Sequence, residues 1–509
     1  MTPAKARVRT AVLAAALLFT LACGARMQAP SPAAPGSGTR ITLLQLNDLY
    51  EITPLGGGRW GGPARVATLL DRLESANPNT FAVLAGDVLS PSALGTALVD
   101  GQRLDGKQMV AVLNAMGLDY ATFGNHEFDL REAPFLERLR ESEFHWTSAN
   151  VTAPDGAPLP GVSPHVIVTA GGAAGRLRVG IIGVTMNRDA PPYARLTDPI
   201  EAARRVAAML RDSVDVVVAL THQTLVQDVA LAETVPEVDL ILGGHDHENL
   251  QIRRGDRLTP ILKADANVRT VWIHEIALDA ETRRVRIESR LVAITDSIAE
   301  QERTRIVARS WVNAAYSAFR SAGFDPDEII ARVPVALDGL ESAVRNRSTA
   351  LTRLVAEAMR AEVAGADGAV VNGGSIRIDD VLQPGSVTQY DVIRILPFGG
   401  PVVEVEMRGS LLERVLEQGS SNRGGGGFLH TAGIEHAGPD GWRVGETPLE
   451  RERTYRIAIS DFLLTGREQG LAELTRTHPE LRVIGEHRDV RLALIDELRR
   501  RWPAGPLRH

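Results

Sequence analysis

Residues 238–247 read VDLILGGHDH. An apolar run of strand length ends in two glycines, and two histidines follow around an aspartate. Continuous Val, Ile and Leu suit a strand buried on both faces. The glycines let the backbone turn sharply and approach its neighbours closely. Imidazole and carboxylate groups therefore arrive together at the carboxyl end of a strand, where open α/β sheets place their sites.

The same arrangement recurs along the chain. ITLLQL (41–46) leads to Asn47-Asp48-Leu49-Tyr50, and TFAVLA (80–85) leads to Gly86-Asp87. YATF (120–123) leads to Gly124-Asn125-His126-Glu127-Phe128-Asp129, and VDVVVALT (214–221) leads to His222. RVGIIGV (178–184) is a further run of strand length, and helical patterns cover 63–75, 107–116 and 201–212. Strand–helix alternation predicts a layered α/β domain. Taken singly, Asp48 or Asp87 reads as a turn or helix cap, and His222 as a core histidine. Five Asp/Asn/His clusters in succession, each at a strand end, read as a metal centre. Oxygen and imidazole donors without thiolate suit Mn²⁺, Fe, Co²⁺ or Zn²⁺.

The chain has 509 residues, enough for two or three domains. Its net charge is −7, and it is −10 without the three basic residues of 1–22. That balance argues against nucleic-acid binding, which relies on neutralising phosphates. Lysine occurs only at positions 5, 107 and 263, which reads as genome base composition. Lys5, Arg7 and Arg9 precede a short apolar run at 11–22 and then Cys23, the only cysteine. Residues 1–23 are therefore expected to be an export signal. Thr20-Leu21-Ala22-Cys23 resembles a bacterial lipobox, although Thr20 stands where leucine is usual. Lipidation of Cys23 would give a periplasmic or outer-membrane lipoprotein, touching the membrane only through its anchor. Residues 24–38, rich in Pro, Ala, Gly and Ser, read as a tether.

The ordered set of strand-end motifs resembles the calcineurin-like metallophosphoesterase superfamily. Within it, the chain is similar to the 5′-nucleotidase family, which includes periplasmic UDP-sugar hydrolases. The second half carries that branch's motifs: Asn372-Gly373-Gly374-Ser375-Ile376-Arg377, Leu396-Pro397-Phe398-Gly399-Gly400 and Asp461-Phe462. The resemblance implies a metallophosphoesterase domain of two sheets flanked by helices at 39–298 and a linking helix at 299–325. An α+β substrate-binding domain at 326–509 would follow.

It also implies two divalent metal ions (Mn, Zn, Co or Fe) bridged by Asp87. One ion would take Asp48, the residue at position 50 and His247; the other would take Asn125, His222 and His245. His126 and Asp129 would form a catalytic dyad at the start of a helix. Hydrolysis of nucleoside 5′-phosphates by a two-metal-activated water is then the expected activity. Alternatives are a UDP-sugar or 2′,3′-cyclic-nucleotide hydrolase, a sulfur-ester hydrolase, or a nucleotide-binding protein with an impaired metal site.

Phe398 and Phe462 would stack on the base. Arg345, Asn372 and Arg377 would bind phosphate, ribose or base edge. Two departures from the pattern stand out. Tyr50 replaces the family's histidine, so it is a phenolate ligand, a residue behind the ligands, or the mark of a weak site. Gly466-Arg467-Glu468-Gln469-Gly470 replaces a glycine-rich loop, with Glu468 in the place of an aspartate. The run 424–427 (GGGG) lacks the Lys-Ser/Thr context of a phosphate loop and reads as a turn before FLHTAGI.

Overall fold

The computed structural model describes residues 38–172, 174–188 and 190–504. The expected export signal, Cys23 and nearly all of the tether lie outside the described residues. Among the described residues, no helix is long and apolar enough to cross a membrane.

The first half contains two six-stranded sheets. In one, Thr39–Leu46, Thr80–Ala85, Tyr120–Thr122 and His145–Trp146 run parallel, and Thr270–Leu278 and Val285–Ala293 add an antiparallel edge. In the other, Gly175–Thr185, Val216–His222, Leu240–Gly243 and Thr259–Lys263 run parallel. His165–Gly172 and Leu250–Arg254 close its two edges antiparallel. Ile41, Leu43 and Val83 from the first sheet share one core with Val179, Ile181, Val218 and Leu242 from the second. The sheets thus pack face to face, and their parallel strands are buried on both sides, as continuous apolar runs require.

Helices cover the outer faces. Pro63–Ala76, Lys107–Met116 and Pro199–Leu210 follow strands, each with one buried stripe. Asp198 caps the last of these: its side chain accepts from the Glu201 amide, and Pro199 takes the first helical position. The helix therefore starts two residues before its apolar period. Glu302–Ser321 packs on Pro63–Ala76 and Lys107–Met116 and leads into the second half.

There a five-stranded sheet is ordered Leu429–Ala432, Gly368–Asn372, Thr454–Ser460, Pro401–Arg408, Leu481–Asp489. Ala350–Glu362 and Val490–Arg501 pack on one face and Gly409–Ser421 on the other. The architecture is two-domain α/β: two face-to-face sheets flanked by helices, then a five-stranded sheet with helices on both faces.

Candidate metal centre and active site

Parallel strands bring their carboxyl ends to one edge, so the five strand-end clusters meet. Asp48, Asp87 and His222 are buried, and their donor atoms lie within 4.8 Å of one another. Asp48, Asp87, His245 and His247 have φ of 50°, 58°, 80° and 59°. This left-handed backbone is costly for residues with a Cβ and is held only where surroundings over-determine it.

The surroundings do so in detail. Glu127 is fully buried and accepts from the amides of Asp87 (3.0 Å), Val88 (2.6 Å), Leu89 (3.1 Å) and Gly124 (2.5 Å). The His126 amide donates to Asp87 Oδ1 at 2.8 Å. Asp48 Oδ2 accepts from Asn47 Nδ2 (2.8 Å) and the His245 amide (2.9 Å). A Cβ at Gly124 would collide with the Asp87 carboxylate, and one at Gly244 with the Ala85 carbonyl. The GD, GNHE and GGH glycines are thus close-approach positions.

His222 Nδ1 donates to the Ala85 carbonyl at 2.8 Å. Its Nε2 then faces Asp87 Oδ2 at 3.3 Å and Asp48 Oδ1 at 4.0 Å. Buried Nε2 and the buried Asn125 Oδ1 have no hydrogen-bond partner among the described residues. Burial alone would lower the His222 pKa, but Asp87 and Asp48 outweigh it and push it up to about 9. Burial would raise Asp48 and Asp87; the facing histidines outweigh it and hold both carboxyls down. Burial and the neighbouring His222 hold His245 well below the usual range. The pocket therefore favours positive charge between its carboxylates. Two carboxylates, an imidazole with a free nitrogen and an unpartnered amide oxygen fit a divalent cation. The grouping is one candidate triad rather than two evident sites.

Behind the ligands lies Lys263, buried and missed by sequence reading. Its Nζ meets Asp228 Oδ2 (2.8 Å), Asp246 Oδ2 (2.5 Å) and the carbonyls of Gln223 (2.6 Å) and Gly244 (2.8 Å). It thereby ties the residues after His222 to those around His245. A compact ammonium with three rotatable N–H groups suits this cluster of converging oxygens better than a planar guanidinium fork.

His126 and Asp129 do pair, with Nδ1 and Oδ2 2.7 Å apart. They do so within one 3₁₀ turn, His126–Asp129, and not at the start of an α-helix, which begins only at Glu132. Arg377 Nη1 lies 3.3 Å from His126 Nε2. Guanidinium only donates, so Nε2 accepts and Nδ1 carries the proton toward Asp129.

The second half supplies one wall. His247 Nδ1 lies 3.1 Å from Asp379 Oδ2 and 3.9 Å from Glu341 Oε2. Burial would lower the His247 pKa, but Glu341, Asp379 and Asp48 raise it well above its ordinary value. Tyr50, Pro91 and His247 line a narrow cleft with Glu341, Arg377 and Asp379. Glu341 Oε1 also holds Arg345 at 2.6 Å. Asn372 Nδ2 donates to Glu468 Oε2 at 2.9 Å, and the Arg377 guanidinium lies 5.8 Å from the Phe398 ring centre. Phe398 and Phe462 are 49% and 41% exposed, unlike core aromatics. The GGGG run is a turn, bonded through Gly426 to Gly374 and followed by Leu429–Ala432.

The calcineurin-like phosphoesterase family model matches residues 41–249, and the 5′-nucleotidase C-terminal domain model matches 329–473. A trifunctional nucleotide phosphoesterase protein, YfkN, of Bacillus subtilis is 26% identical over 84% of this chain, which spans 32% of its length. A 5′-nucleotidase of Vibrio cholerae is 27% identical over 92% of each chain. The crystal structure of a 5′-nucleotidase precursor from Thermus thermophilus superposes with a TM-score of 0.73 at 25% identity. The match covers 91% of this chain and 96% of that one.

Proposed function

Because the chain belongs to the calcineurin-like metallophosphoesterase superfamily and its 5′-nucleotidase family, we propose that it hydrolyses nucleoside 5′-phosphates to nucleoside and phosphate. It is a phosphoric ester hydrolase of the 5′-nucleotidase-like kind. The observation that carries the reading is the meeting of two sets of groups. The buried carboxylate–imidazole cluster and the His126–Asp129 pair face Arg377, which neighbours an exposed aromatic ring.

Asp48, Asp87, Asn125, His222 and His245 would hold divalent metal, with His247 beside them. Bound there, a divalent ion supplies charge neutralisation for the phosphoryl group and a nucleophile at neutral pH. The chain's own groups do the rest. Arg377 draws the phosphate dianion toward His126 through its planar fork. Asp129 fixes the His126 ring through Nδ1, and His126 Nε2 in turn orients the Arg377 guanidinium, whose other N–H groups would donate to the phosphoryl oxygens and stabilise developing charge. Phe398 and Phe462 offer rings for the base, at about 1–3 kcal/mol per stacked base. Arg345, Asn372 and Glu468 offer polar groups to phosphate, ribose hydroxyls or the base edge. The division of labour places chemistry in residues 39–298 and recognition in 326–509, joined by the helix between them. Export with a lipid anchor on Cys23 remains part of this reading.

The test is product release by the purified full chain, resolved by chromatography, from 5′-AMP (adenosine and phosphate), UDP-glucose (UMP and glucose 1-phosphate) and 2′,3′-cyclic AMP (2′- or 3′-AMP). Fastest turnover of 5′-AMP is expected. Preference for either other ester would reassign the substrate, and release from none would refute the proposal.

A further inference from the structure

Tyr50 is 5% exposed, and its hydroxyl is surrounded by two carboxylates and an imidazole. It lies 3.0 Å from Asp87 Oδ2, 3.1 Å from His247 Nε2 and 3.4 Å from Asp48 Oδ1. Metal–oxygen and metal–nitrogen bonds are about 2.0–2.2 Å long. A cation shared by those three residues would have to enter the space that the hydroxyl oxygen fills. The contacts it has instead are those of a hydrogen-bonded phenol.

The backbone that carries the side chain is fixed. Its amide donates to Asn267 Oδ1 at 2.9 Å, and the preceding Leu49 amide donates to the Asp87 carbonyl at 2.9 Å. Its ring lies 5.5 Å from that of His247, which is held from behind by Asp379. Toward His222, which faces the same Asp87 oxygen, the situation reverses. His222 Nε2 and Asn125 Oδ1 are buried with no hydrogen-bond partner, and Asp48, Asp87 and His222 form the one group of three such donors within 4.8 Å among the described residues.

We propose that this chain binds one divalent cation, on the His222 side of Asp87, and that the Tyr50 hydroxyl occupies the neighbouring position as a built-in neutral substitute for a second. The inference rests on the metal-dependent reading of the site and specifies its stoichiometry. It does not depend on the substrate. One cation sits in the Asp48–Asp87–His222 triad, with Asn125 and His245 to complete it, while the Tyr50 hydroxyl bonds Asp48, Asp87 and His247 beside it.

The experiment is metal counting on the full chain, stripped with chelator and titrated with Mn²⁺ by calorimetry, with bound metal measured by mass spectrometry after gel filtration. One equivalent is expected for the parent and for Tyr50→Phe, and two for Tyr50→His, whose imidazole opens the position as a ligand. Two equivalents in the parent would overturn the proposal, as would none. A parent with two equivalents that falls to one in Tyr50→Phe would identify the phenol as a ligand. If Tyr50→His does not fold, the parent and Tyr50→Phe counts decide the matter alone. One equivalent of Mn²⁺ with no nucleotide hydrolysis would sink the substrate assignment and leave this inference standing.

Discussion

Glu127 points both carboxylate oxygens at backbone amides, and through them it shapes the turn that presents Asp87. Glu127→Gln keeps the shape, loses the charge and turns an amide N–H toward donors. Loss of such support around a metal ligand typically weakens metal binding about 10–100-fold. Mn²⁺ titration of the variant should show that fall with little change in secondary structure. His274 makes a different prediction. It is fully buried between Gln45 and Ser289, and desolvation lowers its pKa to about 3 from 6.5. Between those values the unfolded chain binds more protons than the folded one, so stability rises with pH and is lost as pH falls. Urea unfolding of the parent should lose about 2 kcal/mol from this residue between pH 8 and pH 5, and His274→Gln should flatten that part of the slope.

Legibility at this scale divides by chemistry. Asp48, Asp87, Asn125, His222 and His245 announce themselves by following strands. Glu127 lies within a recognised motif, yet its role is backbone support and needs the turn to be seen. Lys263 had a faint signal as one of three lysines among 56 basic residues, but only structure shows the four oxygens that require it.

At the scale of elements, the strand-to-loop junction is the unit that makes the site. Four junction residues hold left-handed φ, and glycines beside them let carboxylate, carbonyl and imidazole crowd together. Gly124→Ala places a methyl in the Asp87 carboxylate, so Asp87 must move. Metal binding should fall at least about tenfold, with stability reduced by about 1–3 kcal/mol. Calorimetric titration and urea unfolding check the two effects separately. Parallel strands were readable because burial on both faces makes them continuous apolar runs. The edge strands were not. Val285–Ala293 alternates exposed and half-buried residues, and His145–Trp146 is too short to show a period. The one-turn 3₁₀ helix that seats His126 and Asp129 has the same i, i+3 spacing as the α-helix expected there.

Across the whole molecule, the residues after Asp48 reach from one half to the other. Arg394 is buried between Glu51 (3.0 Å) and Asp380 (3.2 Å), and Tyr390 donates to Glu51 at 3.1 Å. Arg269 adds a contact with the Asp379 carbonyl, whose side chain holds His247. The metal-facing edge and the substrate-facing half therefore share one network. Arg394→Met strands two buried carboxylates, and removing one partner of such a pair costs about 3–5 kcal/mol. Chemical denaturation should show that loss, whereas an unchanged midpoint would show that the halves do not rely on this contact. The Glu51 pairings were not visible in the sequence, since they join residues more than 300 positions apart.

The activity proposed for the Asp48–Asp87–His222 centre is metal-dependent hydrolysis of a nucleoside 5′-phosphate. The most direct measurement is phosphate release from 5′-AMP by the full chain, chelator-stripped and then resupplied with Mn²⁺, beside Asp87→Asn treated identically. Release that disappears on stripping, returns with Mn²⁺ and is absent in Asp87→Asn is the predicted result. Release that survives stripping, or that Asp87→Asn retains undiminished, would contradict it.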